Sequence, residues 1–140
     1  SQSGGLAFAT AALFPDKVAA CSAGMPFLGD FVDHMRIRDV YRAEMQAYVN
    51  HYAGTTWPDV YRAMSLIDTV HLAPRIRCPV LMCTGLFDDD CPSHIGFAVY
   101  NAVCSEKRYI VYPDEAHLLG TRWQADSRAW VRQALKLPAQ

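Results

Sequence analysis

Small apolar residues crowd the start of the chain. Residues 3–14 (SGGLAFATAALF) are apolar nearly all round a helical projection, as in a helix buried against a sheet. Pro15-Asp16 ends that pattern. Residues 17–23 (KVAACSA) are short, apolar and bounded by Gly24 and Pro26, which predicts a buried strand. Over residues 34–53 and 57–68, charges interleave with Met, Tyr, Val and Leu, the pattern of two surface helices broken at Gly54.

From residue 79 the pattern becomes regular. Residues 79–84 (PVLMCT) predict a strand, 85–92 a loop and 93–103 a helix. Residues 107–112 (KRYIVY) predict a strand, 113–120 a loop and 121–137 a last helix with Trp123, Trp130, Val131 and Leu135 on one side. Strands alternating with helices make this an α/β chain with a doubly wound, mostly parallel sheet. Three strands are few for such a sheet, and a strand is expected before the first turn. Residues 1–140 therefore read as the C-terminal half of one domain. The expected partner is the N-terminal half of that domain, without which the chain is not expected to fold independently.

Three loops carry residues with chemistry. Ser1-Gln2-Ser3-Gly4-Gly5 places a serine on a glycine-lined turn that feeds a helix. This is how α/β-hydrolases present a nucleophile, with the next backbone N–H directed at the substrate oxyanion. The loop after the strand 79–84 contains Asp88, and the loop after the strand 107–112 contains His117. Ser, then Asp, then His is the chain order of an α/β-hydrolase triad. Sites in such sheets lie beyond the carboxyl ends of the strands. A serine hydroxyl needs an imidazole to take its proton, and a carboxylate behind the imidazole holds its tautomer.

The sequence resembles the acetyl xylan esterases and cephalosporin C deacetylases. Their nucleophile turn reads Ser-Gln-Gly-Gly-Gly before an apolar helix, and Ser1-Gln2-Ser3-Gly4-Gly5-Leu6-Ala7 is similar without a gap. Pro26-Phe27-Leu28, Pro79-Val80-Leu81, Gly85-Leu86-Phe87-Asp88, Cys91-Pro92, Phe97-Ala98-Val99-Tyr100-Asn101 and Tyr112-Pro113 before His117 also look like family landmarks. The resemblance implies Ser1 as nucleophile, Asp88 as acid, His117 as base, Gln2 as an oxyanion donor and Phe27 as a wall of the acyl pocket. It further implies removal of acetyl and other short acyl groups from sugar hydroxyls or related esters, without a metal or other cofactor, in a homo-oligomer. Ser3 departs from the family's glycine, where a side chain is expected to crowd the turn. Leu118 stands where the family commonly has glutamate, which removes a carboxylate next to His117.

Other readings of these residues exist. Ser3 competes with Ser1 as nucleophile, and both fit ordinary helix N-cap hydroxyls. Asp89 is the next candidate acid, and the run Asp88-Asp89-Asp90 also fits a solvated loop; it lacks the companions of a Mg²⁺ or Ca²⁺ cage. Cys91 reads as a packed thiol rather than a nucleophile. His34 and His51 fall on the expected surface helices, and His71 and His94 near helix ends.

Composition narrows the partners. At 51% hydrophobic and 19% charged, the 140-residue chain has the balance of one soluble globular domain. Thirteen basic against fourteen acidic residues, without a basic stripe, give no support for nucleic acid or an anionic membrane as partner. No apolar stretch reaches the ~20 residues of a membrane span. Five cysteines without a CxxC pair point to reduced thiols in the cytoplasm rather than a disulfide framework or structural zinc. The expected function is a serine esterase acting on a small acetylated substrate. The alternatives are a non-catalytic, esterase-derived interaction subunit, or another α/β-hydrolase such as a lactone or peptide hydrolase.

Overall fold

The sheet is built around one strand that touches no water. In the computed structural model, which describes residues 1–117 and 120–138 and only the backbone of Val40, β2 (Val80–Gly85) is buried at every position. It pairs in parallel with β1 (Cys21–Gly24), Cys21 opposite Val80, and with β3 (Lys107–Tyr112), Val80 opposite Lys107. The order is β1-β2-β3. A central parallel strand needs apolar side chains on both faces, and Val80-Leu81-Met82-Cys83 supplies them.

Each face has its own cover. Cys21, Ala23, Val80 and Met82 pack with Phe8, Ala11 and Ala12 of α1 (Gln2–Leu13) and with Val99 of α6 (Ser93–Ala102). Cys83, Ile110 and Tyr112 meet Trp123 of α7 (Gly120–Ala134) on the other face. Gly24 makes room for that helix, since a Cβ there would stand 2.6 Å from the Trp123 indole nitrogen. Between β1 and β2 the chain forms α2 (Phe31–Ile37), α3 (Asp39–His51), α4 (Trp57–Ser65), α5 (Thr69–Leu72) and a 3₁₀ turn at Ala73–Arg75.

Several expected boundaries move. The first helix is not buried all round: Gly4, Gly5, Phe8, Ala11 and Ala12 face inward, while Leu6, Leu13 and Phe14 are half exposed. The strand expected at residues 17–23 begins only at Cys21, because Lys17 N donates to Phe14 O in a turn. The helix expected over 34–53 is two, divided at Arg38, whose backbone is extended (φ −101°, ψ 101°). The second surface helix stops at Ser65. Asp68, buried, starts two helices from that gap: its carboxylate accepts from Asp30 N and Phe31 N at the start of α2 and from Val70 N in α5. A side-chain acceptor at a helix start satisfies donors that the helix cannot. The last helix ends at Ala134 rather than 137, with Lys136 left-handed at φ 52°.

Candidate active site

Ser1 sits where α1 meets the carboxyl end of β1. Its backbone N donates to Gly24 O at 2.9 Å, and its carbonyl accepts from Gly4 N, Gly5 N and Phe27 N at 3.0–3.2 Å. Ser1 occupies the N-cap of α1, yet its hydroxyl makes no cap hydrogen bond. The N-cap explanation of this serine therefore does not describe it. The two glycines permit the turn: a Cβ on Gly4 would lie 2.7 Å from Gly24 O, and one on Gly5 would run into Phe27 O. Ser3 is exposed in the first turn of α1, so its side chain does not crowd the turn as expected.

Asp88 and His117 come from neighbouring loops zipped together through their backbones. Leu86 N donates to Tyr112 O at 3.1 Å and Phe87 N to Glu115 O at 3.0 Å. Gly85 is what lets them close, because a Cβ there would strike Glu115 O and stand 2.6 Å from Ala116 O. The result is a hydrogen-bonded pair, with His117 Nδ1 at 3.0 and 3.1 Å from the two Asp88 carboxylate oxygens. Asp88 is buried and its Oδ1 also accepts from Asp90 N and Cys91 N at 3.0 and 2.8 Å. A carboxylate this well supplied with donors is fixed in direction as well as position. The three adjacent aspartates are thus separated by geometry. Asp89 is exposed, and it and Asp90 turn to Arg38, at 3.7 and 2.9 Å.

Ser1, Gln2, Phe27, Tyr41, Asp90, Cys91 and His117 line one cavity of about 330 Å³. Four of the five expected site residues lie on its wall, and the fifth, Asp88, lies behind His117. Gln2 opens α1, whose first N–H groups have no partner inside the helix and carry the positive end of its dipole. Phe27 is held over the cavity by a contorted segment: Met25, Leu28 and Asp30 all have left-handed backbones, at φ 43°, 71° and 46°. Each such non-glycine residue costs on the order of 1–3 kcal/mol. Hydrogen bonds from Met25 N to Cys83 O, Phe27 N to Ser1 O and Thr69 N to Leu28 O hold the segment in place.

Tyr41, Asp90 and Cys91 are the wall residues that sequence reasoning did not assign to the site. Tyr41 packs on Phe27 with ring centroids 5.3 Å apart. Cys91 is buried against Asp88 and faces the Ser1 hydroxyl; burial first, and the carboxylate second, push its thiol up to about 11, with Ser1 pulling the other way. It remains protonated at neutral pH. His34 is the clearest correction: expected on a surface helix, it is buried between Phe27 and Tyr41, both at 5.2 Å. Neither of its ring nitrogens has a hydrogen-bond partner among the described residues. Burial holds its imidazole below the ordinary histidine range. His51 and His71 are exposed, and His94 pairs with Asp33 at 3.1 Å. Leu118 lies outside the described residues.

A hydroxyl, an imidazole held by a carboxylate, and a helix N-terminus around one cavity are the parts needed for acyl transfer. Comparison with known proteins agrees in kind. The acetyl xylan esterase (AXE1) family matches residues 1–134. An acetyl esterase of Xylanibacter ruminicola is 29% identical over 136 residues, which are 97% of this chain and 30% of that protein. Acetyl xylan esterase 1 from Thermoanaerobacterium sp. JW/SL YS485 is 34% identical with a TM-score of 0.77, covering 99% of this chain and 44% of that one. The acetyl xylan esterase from Paenibacillus sp. R4 is 28% identical with a TM-score of 0.84, covering 95% and 43%. The chain thus spans less than half the length of each of these relatives. Its parallel sheet and flanking helices are part of an α/β-hydrolase fold. Because the match extends over residues 1–134, from the start of α1 to the end of α7, the chain belongs to the acetyl xylan esterase family.

Proposed function

We propose that this chain carries the acyl-transfer site of a serine esterase that removes acetyl and other short acyl groups from sugar hydroxyls or related esters. The observation that supports this most is the 3.0 Å bond between buried Asp88 and His117 at the wall of the cavity that Ser1 enters. In this reading Ser1 Oγ attacks the acyl carbon while His117 Nε2 takes its proton. Asp88 keeps the other ring proton on Nδ1 and stabilises the imidazolium. Negative charge gathering on the carbonyl oxygen meets the Gln2 N–H at the start of α1. Collapse expels the alcohol, which takes the proton from His117. Water, deprotonated by the same imidazole, then attacks the acyl-serine and releases the acid.

Phe27 and Tyr41 close one side of the cavity with aromatic surface, which suits a small apolar acyl group rather than a peptide. The relatives are more than twice as long as this chain. On that ground a second oxyanion donor and the contacts to the alcohol are assigned to segments beyond residues 1–140; the homo-oligomeric, cytoplasmic part of the reading rests on the family resemblance and the cysteine pattern alone. The test is covalent labelling with a phosphonylating reagent followed by peptide mass spectrometry. The adduct is expected on Ser1. An adduct on Ser3, or none in a preparation that hydrolyses acetyl esters, overturns the assignment.

A further inference from the structure

Beside the cavity stands a donor set with one member that ester hydrolysis does not need. Among the described residues, Asp88, Cys91 and His117 each offer a metal-binding atom, and these atoms lie within 4.8 Å of one another. Cys91 is the unexpected member. It is nine-tenths buried, it lines the cavity, and the mechanism above gives it nothing to do.

A carboxylate, a thiol and an imidazole are a mixed donor set of a definite kind. Hard ions such as Mg²⁺ and Ca²⁺ take oxygen; sulfur with nitrogen selects the borderline-soft ions. Zinc binds His nitrogen and Asp oxygen at about 2.0–2.2 Å and Cys sulfur at about 2.3 Å, with tetrahedral angles. Tetrahedral ligands at those radii stand about 3.3–3.6 Å from one another, so a pair at the 4.8 Å bound must close by about 1.2–1.5 Å, whereas His117 Nδ1 and Asp88 already stand 3.0 Å apart. The cavity leaves a fourth position for water or the Ser1 hydroxyl. Charge also balances: a thiolate and a carboxylate neutralise a dication, so no net charge is left in a buried place.

We propose that Asp88, Cys91 and His117 form a site for a divalent cation of the Zn²⁺ class, and that its occupancy shuts off acyl transfer. On binding, the Cys91 S–H bond breaks, a sulfur–metal bond forms and the proton leaves to solvent. A His117 ring nitrogen gives its lone pair to the ion and the other keeps the single ring proton. The imidazole then accepts no proton from Ser1, and Asp88 no longer orients it. Binding rests on the donor atoms alone; only the inhibition rests on the esterase reading.

The experiment uses chelator-treated protein of native length, titrated with Co²⁺ without oxygen. A thiolate-to-cobalt charge-transfer band saturating at one ion per chain is expected. Acetyl-ester turnover should fall in step with the band and return on adding chelator. The band should survive Cys104→Ser, which removes the exposed thiol, and vanish in Cys91→Ser. The Zn²⁺ concentration that halves each protein's own metal-free turnover should rise more than about 100-fold in Cys91→Ser, beyond the effect of an outer-shell change. Zinc-edge absorption of the unsubstituted protein should resolve one sulfur at about 2.3 Å. The proposal is overturned by a zinc site without sulfur, by a band that follows Cys104, or by unchanged inhibition in Cys91→Ser. A band in a protein that turns over no ester would sink the esterase reading and leave the metal site standing.

Discussion

Gly85→Ala tests the account of how Asp88 meets His117. The added Cβ would press on Glu115 O and lie 2.6 Å from Ala116 O and 2.8 Å from Glu115 C, all backbone atoms with no rotamer to escape into. Ordinary contact begins near 3.4 Å, so the 115–116 segment must retreat by roughly 0.8 Å at Ala116 O and by more at Glu115 O. His117 is the next residue. If it moves with its neighbours, its 3.0 Å bond to Asp88 stretches to about 3.8 Å and ceases to be a hydrogen bond. A misplacement of about 1 Å in a catalytic group costs on the order of 10²-fold in rate. The stability cost of forcing one methyl into a packed place is about 1–3 kcal/mol. The assay is p-nitrophenyl acetate hydrolysis at saturating substrate, paired with thermal unfolding. The control is Gly54→Ala, where φ is 85° and nothing lies within 4 Å of the added carbon. It should lose about 1 kcal/mol through backbone strain and keep its turnover. A folded Gly85→Ala protein within tenfold of the parent would refute the idea that this close approach sets the Asp88–His117 bond.

Two further outcomes follow from the same geometry. Asp88→Asn and His117→Ala should each lower turnover by a factor on the order of 10³ or more with little change in KM, as measured by steady-state kinetics; losses under tenfold would show that other residues carry the proton. His34, buried and neutral, has a folded pKa below its unfolded value of about 6.5. Its contribution to stability is therefore present above pH 6.5 and lost as pH falls from there towards the folded value, because the unfolded chain binds the proton first. Melting temperature measured from pH 7.5 to 5 should fall less steeply in His34→Phe than in the parent, and equal slopes would place the acid sensitivity elsewhere.

Much of this protein is legible without coordinates. The strands 79–84 and 107–112 and the helix at 93 are found to within a residue or so, because each is a local run whose period matches its element. That Ser1, Asp88 and His117 gather at one end of the sheet is readable for a related reason. In a parallel sheet every strand delivers its following loop to the same edge, so loops far apart in sequence share one end. Chain order alone then nominates neighbours.

What local pattern does not contain is who covers whom. His34 looks like a surface residue because Asp33, Arg36 and Arg38 surround it in sequence. It is buried because α2 turns that side onto Phe27 and Tyr41. Arg38 breaks an otherwise continuous helical pattern, and its guanidinium pairs with aspartates 51 and 52 residues later. Cys91 reads as filler until the loop that carries it folds back on Asp88 and sets its thiol against Ser1. The sequence determined the strands, the chain order of Ser1, Asp88 and His117 and the glycines that allow close approach, since these depend on propensity and backbone freedom. The tertiary structure decided which charges and rings face each other, because those energies arise only once distant segments have excluded water between them.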